Sequence, residues 1–408
     1  MLNKLVISLL FAVTATAKVR FDNHQVIRLW PEEDHQLKYL HQLYQNSEGL
    51  DFWTIPRKLS DFVDVRVPPQ LLEDFHKNVG KLNMKNDTLG IEKAEEELVK
   101  SRSSNSRLDW HSYYDLDVIY DWMKEIANTY PDIVELYEGG TTYEERTILG
   151  VKLSYKPNNP VVFIESGIHA REWVCPATTT CILNELLTSE DPDIRLIAEN
   201  FDWHIFPIVN PDGYKYSFDY NRMWRKTRTP GDRCYGVDGN RNWDDRWLEE
   251  GGASSNECSE TYAGTEPFST VEYDTLAKTI TSSDPTVYFC MHSYSQLLMI
   301  PFGHTLEVAD NHDELMEIGT KAIASLAERY GTQYKVGPIY DVIYTATGGS
   351  MDWVKSYLKV PYTFEWELRD TGYYGFLLPT NQILPTCLET LDSMKTILLE
   401  VYNSISKK

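Results

Sequence analysis

The chain has 408 residues, of which 42% are hydrophobic and 12% aromatic. This is the composition of a globular protein, and the length favours more than one domain. Its formal net charge is −22, and nucleic acids and anionic membranes repel such a surface, so both are disfavoured as partners.

The first 17 residues, MLNKLVISLLFAVTATA, have the pattern of a secretory signal peptide. Lys4 precedes an apolar stretch from Leu5 to Val13, and small residues follow up to Ala17. The apolar stretch is too short to anchor the chain in a bilayer. We therefore expect residues 1–17 to be removed and the mature protein to be secreted and extracellular.

Residues 18–102 differ from the rest of the chain and predict a small α+β open sandwich followed by a linker. Leu37, Leu40 and Leu43 recur at helical spacing. FWTIP and VDVRVP alternate as short strands, and PPQLLEDFHKNV has proline near the start of a second predicted helix.

The linker is charged and rich in serine and asparagine, which is typical of exposed chain. It contains three trypsin-type cleavage sites, Lys100, Arg102 and Arg107. An exposed basic linker after a small domain suggests an activation propeptide, although an ordinary interdomain linker fits these residues about as well. Residues 103–408 would form the second domain.

From Tyr113 onward, apolar strand-like runs alternate with helical ones, as in TILGVKLSY, PVVFIESG, ATTTCILNELL and PTVYFCMHSY. Such alternation predicts an α/β domain with a mixed, mostly parallel twisted sheet and helices on both faces. Sites in open sheets of this kind lie beyond the strand ends. His169 and His292 each follow an apolar run, so both are predicted to lie at such an edge.

The segment HAREW contains His169 and Glu172, two good zinc ligands that lie three positions apart. Alone, this spacing occurs by chance in many proteins and is more typical of a polar turn. His292 would complete a set of two histidines and one glutamate, which leaves a coordination position open for water. Asp238 is a candidate hydrogen-bond acceptor for the ring of His169.

Eight segments occur in the order GIHAREWV, NPDGYKY, NRMWRKTR, GVDGNRNWD, CSETYAG, HSYSQLL, IYTATGGSMDW and ELRDTGYYGFLLP. They resemble motifs of the secreted pancreatic-type zinc metallocarboxypeptidases, the carboxypeptidase A/B group, and extend over residues 108–400. The region before them resembles the activation propeptide of that family. The resemblance therefore favours a zymogen.

The resemblance implies a zinc-dependent exopeptidase that hydrolyses the C-terminal peptide bond of peptides and proteins. It also implies one Zn²⁺ per catalytic domain and a trypsin-like protease as activator. The zinc ligands would be His169, Glu172 and His292. Glu367 would be the general base that deprotonates the attacking water, and Arg225 would stabilise the developing oxyanion.

The resemblance also assigns substrate contacts. Asn240, Arg241 and Tyr344 would hold the terminal carboxylate of the substrate, since arginine can bind a carboxylate bidentately. Four residues would line outer subsites: Arg171, Arg222, Ser293 and Tyr294. Cys234 and Cys258 match the disulfide of the family, and we expect a monomer.

The specificity pocket would be formed by Gly303, Ile339, Ile343, Ala346, Gly349 and Met351. Met351 stands where the family has an acidic residue in enzymes that prefer Lys or Arg, and an apolar one in enzymes that prefer aliphatic or aromatic residues. Its apolar side chain favours a hydrophobic preference.

Glu365 supports the alternative, a carboxypeptidase B-like preference for Lys and Arg. Side chains alternate along a strand, so Glu365 shares a face with Glu367 and would attract cations to the cleft. One additional residue between Met351 and Glu367, relative to the family, leaves the placement of Glu365 open.

Two other functions are disfavoured by the sequence. A catalytically inactive peptide-binding homologue would lack a ligand, the base or the carboxylate-binding residues, and all are present. A zinc hydrolase of small acylated amino acids would not be expected to have the propeptide or the GGSMDW pocket segment.

Overall fold

The computed structural model describes residues 18–46, 49–89, 108–249 and 251–406. The predicted signal peptide and the three cleavage candidates of the linker lie outside these ranges. Within them, no helix combines the length and the apolar composition that a membrane crossing requires.

The N-terminal unit is a four-stranded antiparallel sheet with two helices, in agreement with the predicted α+β sandwich. Its elements are β1 (Gln25–Trp30), α1 (Asp34–Asn46), β2 (Asp51–Phe52), β3 (Val63–Val67), α2 (Pro69–Lys81) and β4 (Lys85–Leu89). The strand order is β2-β3-β1-β4. Its small core joins alternate strand residues such as Ile27 and Val65 to Leu40 of α1 and Phe75 of α2.

The second unit contains one eight-stranded sheet. Its strands are β5 (Val134–Thr141), β6 (Thr147–Leu153), β7 (Val161–Ser166), β8 (Asp202–Phe206), β9 (Val287–Ser293), β10 (Leu297–Ile300), β11 (Lys335–Pro338) and β12 (Tyr362–Leu368). Its α-helices are α3 (Leu116–Thr129), α4 (Val174–Thr188), α5 (Pro192–Asn200), α6 (Pro211–Asp219), α7 (Val271–Ser283), α8 (His312–Tyr330), α9 (Ile339–Val342), α10 (Ser350–Trp353) and α11 (Ile383–Ile405). Short 3₁₀ turns cover Gly239–Arg241, Gly375–Leu377 and Thr380–Gln382.

The strand order is β11-β10-β12-β9-β7-β8-β6-β5. The pairings β11–β10, β12–β9, β9–β7 and β7–β8 are parallel, whereas the other three are antiparallel. The predicted mixed, mostly parallel sheet is therefore confirmed.

The central strands are apolar on both sides because both faces of the sheet are covered. In β7, Val162 and Ile164 belong to one core, and Phe163 belongs to the core on the opposite face. In β9, Phe289 belongs to the first of these cores and Tyr288 to the second. This double burial explains why these strands are continuous apolar runs in the sequence.

Besides the four-residue helices α9 and α10, two helices were not identified from the sequence, α5 and α6. Each begins with proline, which is compatible with the first helical turn because its missing N–H is not needed there. Each is capped by the preceding side chain, Asp191 for α5 and Asn210 for α6. Both helices are short, which makes their apolar periodicity weak.

Two disulfides lie in the described residues. Cys234 and Cys258 are bonded, as the family resemblance implies. A second bond joins Cys181 of α4 to Cys387 of α11, across 206 positions of sequence. This second pairing was not predicted, because connectivity cannot be deduced from cysteine positions alone.

Candidate active site

His169, Glu172 and His292 come together at the carboxyl edge of the sheet, and all three are buried. The chain turns after β7 at Gly167, where φ is +66° and a Cβ would lie 2.9 Å from the carbonyl oxygen of Pro207. His169 Nδ1 lies 2.8 Å from Glu172 Oε1 and 3.1 Å from His292 Nδ1. His292 Nδ1 lies 3.3 Å from Glu172 Oε2.

These side chains fit a zinc ion. The three candidate ligand atoms lie within 4.8 Å of one another, and zinc prefers nitrogen and carboxylate oxygen of this kind. His169 Nε2 lies 3.0 Å from Asp238 Oδ1, so we assign the proton to Nε2, which leaves the Nδ1 lone pair free for a metal. The Ser293 backbone N–H donates to Glu172 Oε2 over 3.2 Å and orients this carboxylate.

Asp238 connects three of the predicted site residues. Besides the contact with His169, it accepts hydrogen bonds from Arg225 Nη2 at 2.9 Å and from the Asn240 backbone N–H at 3.0 Å. Burial favours the neutral acid, but the charge of Arg225 and the hydrogen bond from His169 hold the pKa of Asp238 well below its usual range. The charged carboxylate therefore fixes both side chains.

Glu367 lies beside His292, because the two residues are opposite each other in the parallel pairing of β12 and β9. Its Oε2 is buried and accepts no hydrogen bond from the residues that the structure describes. Burial, followed by the charge of Glu172, raises the pKa of Glu367 well above its ordinary value. A carboxylate with raised proton affinity and a free oxygen is suited to accept a proton.

A cavity of about 540 Å³ opens in front of these residues, and Asn240, Arg241 and Tyr344 line it. Arg241 Nη2 donates to the Tyr344 hydroxyl over 3.2 Å. Asn240 Oδ1 accepts the Ser350 backbone N–H over 2.9 Å, which fixes the amide. A guanidinium, an amide and a phenol at one cavity wall form a group that can bind a carboxylate.

Three predicted outer-subsite residues lie at the boundary with the N-terminal unit. Ser293 and Tyr294 line the cavity. The Tyr294 hydroxyl donates to Asp64 Oδ2 over 2.8 Å, and Arg171 Nη1 lies 3.0 Å from Asp51 Oδ1. Both acceptors belong to the N-terminal unit, so these predicted subsites are engaged by the chain itself.

Arg222, the fourth residue of this group, does not line the cavity. Its side chain is buried and donates to the backbone carbonyl oxygens of Arg171, at 2.8 Å, and of Phe376. Its guanidinium carbon lies 3.7 Å from the ring centroid of Trp173. In this form of the protein, Arg222 supports the backbone that carries Arg171.

The N-terminal unit covers one side of the cavity through the residues that follow β2. Of the predicted strand FWTIP, only Phe52 belongs to β2. The Trp53 ring leaves the sheet and packs at 5.1 Å from the Phe376 ring and at 6.3 Å from the Tyr294 ring, measured between centroids. Sequence analysis did not identify Trp53 as a site residue, because nothing in a short apolar run indicates which domain it contacts.

Five predicted pocket residues line the inner cavity: Ile339, Ile343, Ala346, Gly349 and Met351. Gly303 lies behind them, and a Cβ there would approach Ile339 Cγ2 to 2.9 Å. Glu365 lines the same cavity, and its buried Oε2 has no hydrogen-bond partner in the described ranges. Burial raises the pKa of Glu365.

The π-helical turn Val354–Leu358 lies between α10 and β12. Such a turn accommodates an additional residue within a helix. The regular alternation of β12 is retained, with Glu365 opposite Cys290 and Glu367 opposite His292. The expected shared face of Glu365 and Glu367 is therefore observed.

Comparison with known proteins assigns the chain to a family. Residues 119–393, more than half of the chain, match the family model described as zinc carboxypeptidase. The chain belongs to this family. Residues 27–89 match a second model, described as carboxypeptidase activation peptide, so this metallocarboxypeptidase also carries a propeptide of the zymogen type.

Individual family members are similar over most of the chain. Zinc carboxypeptidase A 1 of Anopheles gambiae is 44% identical over 405 residues, which cover 97% of this chain and 93% of the relative. Carboxypeptidase B of Astacus astacus is 43% identical over 296 residues, which cover 71% of this chain and 97% of the relative. Because a relative named A and a relative named B have nearly the same identity to this chain, identity alone does not decide the substrate preference.

Two solved structures have the same fold over nearly the whole chain. The crystal structure of thrombin activatable fibrinolysis inhibitor has a TM-score of 0.86 and 29% identity, and the alignment covers 92% of this chain and 98% of that one. Carboxypeptidase A from Helicoverpa armigera has a TM-score of 0.84 and 25% identity, and the alignment covers 95% of this chain and 99% of that one.

Proposed function

We propose that this chain is the secreted zymogen of a zinc exopeptidase that removes the C-terminal residue of peptides and proteins. The observation that carries the proposal is the buried cluster of His169, Glu172 and His292 beside an unpartnered Glu367 oxygen. The carboxylate-binding wall of the same cavity supports an exopeptidase, since only a free C-terminus supplies that anion.

The reaction needs a Lewis acid, a base and a fixed positive charge. Zinc, when bound by His169, Glu172 and His292, supplies the Lewis acid. Glu367 takes the proton from the attacking water and transfers it to the leaving amine. Arg225, held by Asp238, places its charge where the oxyanion develops, and it needs no reorganisation because the ion pair already fixes it.

The N-terminal unit acts as an inhibitor in cis. Asp51 and Asp64 contact Arg171 and Tyr294, two of the predicted substrate-binding residues. Trp53 packs against Tyr294 and lines the cavity. A trypsin-like protease would release this cover by cutting at Lys100, Arg102 or Arg107, since each site satisfies the specificity of such an enzyme.

A hydrophobic C-terminal residue is the preferred substrate. Met351 is buried at the pocket base, and Ile339, Ile343 and Ala346 surround the same space, so apolar side chains gain burial there. A preference for Lys or Arg is the second candidate, supported by the unpartnered, buried Oε2 of Glu365. A cationic side chain would satisfy this oxygen.

The test is to treat the purified chain with trypsin and assay the release of the last residue from two peptides. One peptide ends in Phe and the other in Lys, with identical residues before them. We expect release only after cleavage, complete inhibition by a chelator, and faster release of Phe. Activity that resists chelation would refute the zinc mechanism, and faster release of Lys would favour the second candidate.

A further inference from the structure

Behind the specificity pocket, the ring of His304 lies between two carboxylates. Its Nδ1 is 2.8 Å from Asp245 Oδ2 and 3.0 Å from Asp352 Oδ2. All three side chains are at least nine-tenths buried, with exposed fractions of 9%, 9% and 4%. The three residues come from separate segments of the chain and lie outside the candidate zinc site.

Each of these segments also carries part of the substrate site. Asp245 lies four residues after Arg241 of the carboxylate-binding wall. Asp352 directly follows Met351, the pocket base. Asp352 Oδ2 accepts the backbone N–H groups of Gly303 at 2.7 Å and of His304 at 3.2 Å. The histidine therefore links the carboxylate-binding segment, the rear of the pocket and its base.

The charge of His304 matters because Asp352 also faces the cavity. Asp352 lines it, and its Oδ1 is buried without a hydrogen bond to any described residue. Burial has the largest effect on the pKa of Glu365 and raises it, and His292 lowers it. The charge of Asp352 has the next largest effect and raises the pKa of Glu365. Without a neighbouring cation, Asp352 would therefore add a second negative charge to the pocket, besides that of Glu365.

His304 supplies the compensating cation. Burial alone would lower the pKa of an imidazole, but the contacts with Asp245 and Asp352 outweigh it and raise the pKa of His304 to about 9. The ring is then charged at neutral pH, between two carboxylates that it can partly neutralise.

We propose that His304 is a positioning residue that sets the substrate preference by neutralising Asp352 and holding Met351 at the base of the pocket. It thereby reduces the attraction of the pocket for cationic side chains and favours apolar C-terminal residues. The inference rests on the proposed carboxypeptidase function and adds the group that controls its selectivity.

The test uses His304→Gln in the full chain, activated with trypsin. Glutamine removes the charge and keeps a polar side chain. We expect the ratio of kcat/KM for the Lys peptide to that for the Phe peptide to rise about tenfold, the order of one close charge interaction in a partly screened site. His204→Gln is the matched control, since His204 lies on β8 against the rings of Tyr137 and Phe163 and does not line the cavity.

Asp352→Asn shows whether His304 acts through Asp352. Asparagine retains an oxygen that can accept the Gly303 N–H but has no charge. We expect Asp352→Asn alone to lower the Lys-to-Phe ratio, and His304→Gln to leave the ratio unchanged when added to it. This single variant also tests the inference if His304→Gln does not fold.

Three results would overturn the inference. The first is an equal loss of kcat/KM for both peptides in His304→Gln, which would indicate only a structural role. The second is a rise of the Lys-to-Phe ratio in Asp352→Asn. The third is a second equivalent of bound metal that His304→Gln loses, because the ring would then be a ligand and not a cation. If the activated wild-type chain releases no residue from either peptide, the proposed function itself fails.

Discussion

Arg171 Nη1 lies 3.0 Å from Asp51 Oδ1, and this ion pair joins the catalytic unit to the unit that covers its cleft. Asp51 also contacts Arg66 Nε and accepts the Trp53 indole N–H, both at 3.1 Å. Burial by itself would raise the pKa of Asp51, but Arg171 and Arg66 lower it below its ordinary value. The carboxylate is therefore charged and forms the centre of the contact.

Replacing Asp51 with Asn should make the uncut zymogen active. Truncating one partner of a buried charge pair costs about 2–5 kcal/mol, so we expect the activity before trypsin treatment to rise by about tenfold or more. The measurement is release of Phe from a peptide by the intact chain. Asp22→Asn is the control, because Asp22 pairs with Arg20 at the surface. Activity of uncut Asp51→Asn equal to that of wild type would contradict the role of this ion pair.

Replacing Glu367 with Gln should remove turnover without removing the metal. A positioned general base accelerates a reaction about 10²–10⁴-fold, so kcat should fall by a factor in that range. The zinc content of the purified protein should stay at one per chain. Glu365→Gln is a matched control on the same strand face, and it should release Phe at a nearly normal rate. The base assignment is wrong if Glu367→Gln retains wild-type turnover.

Glu365→Gln should change selectivity. Its carboxylate lines the cavity without a hydrogen-bond partner among the described side chains and backbone groups. Loss of this charge should lower kcat/KM for a Lys peptide about tenfold and leave the value for a Phe peptide within about twofold, because only the cation gains from the carboxylate. Measuring both peptides at one pH checks this, and an unchanged ratio would exclude Glu365 from the recognition of basic residues.

Glu165 should make stability depend on pH. Burial, only partly offset by the hydrogen bond from Tyr288, raises the pKa of Glu165 from 4.5 to about 7. Between these values the folded state keeps a proton that the unfolded state has lost. The free energy of unfolding should therefore fall as the pH rises from 4.5 to 7, by about 3 kcal/mol in total.

Urea unfolding of the intact chain across this pH range measures the effect. Glu165→Gln should flatten the dependence, since glutamine does not titrate. Glu328→Gln on the exposed side of α8 is the control and should leave the slope as in wild type. If Glu165→Gln keeps the wild-type slope, the pH dependence belongs to another group.

The sequence predicted the parts of the site that local patterns determine. His169 follows β7 and His292 lies near the end of β9, two strands that are apolar on both faces, and the alternation of β12 predicted that Glu365 and Glu367 share a face. Arg222 is a different case. Its motif indicates a subsite, but its side chain packs beneath Arg171, and which way a long side chain turns depends on packing that no motif encodes.

The contacts between distant segments were not predictable. Asp51 and Arg171 are 120 positions apart, and Asp64 and Tyr294 are 230 positions apart, so each pair exists only after the two units dock. His304 likewise lies between two carboxylates only because distant segments of the chain pack together. Such pairs have no periodicity or spacing in the sequence from which they could be inferred.

The position of the covering unit at the start of the chain has a consequence for biosynthesis. The ribosome completes residues 18–89 before it reaches His169, and Glu367 emerges later still. When the cleft forms, the segment that blocks it is already attached, at a local concentration that is roughly millimolar for a tethered partner. The proposed inhibition in cis would therefore be in place as soon as the cleft folds, and no separate inhibitor would have to bind first.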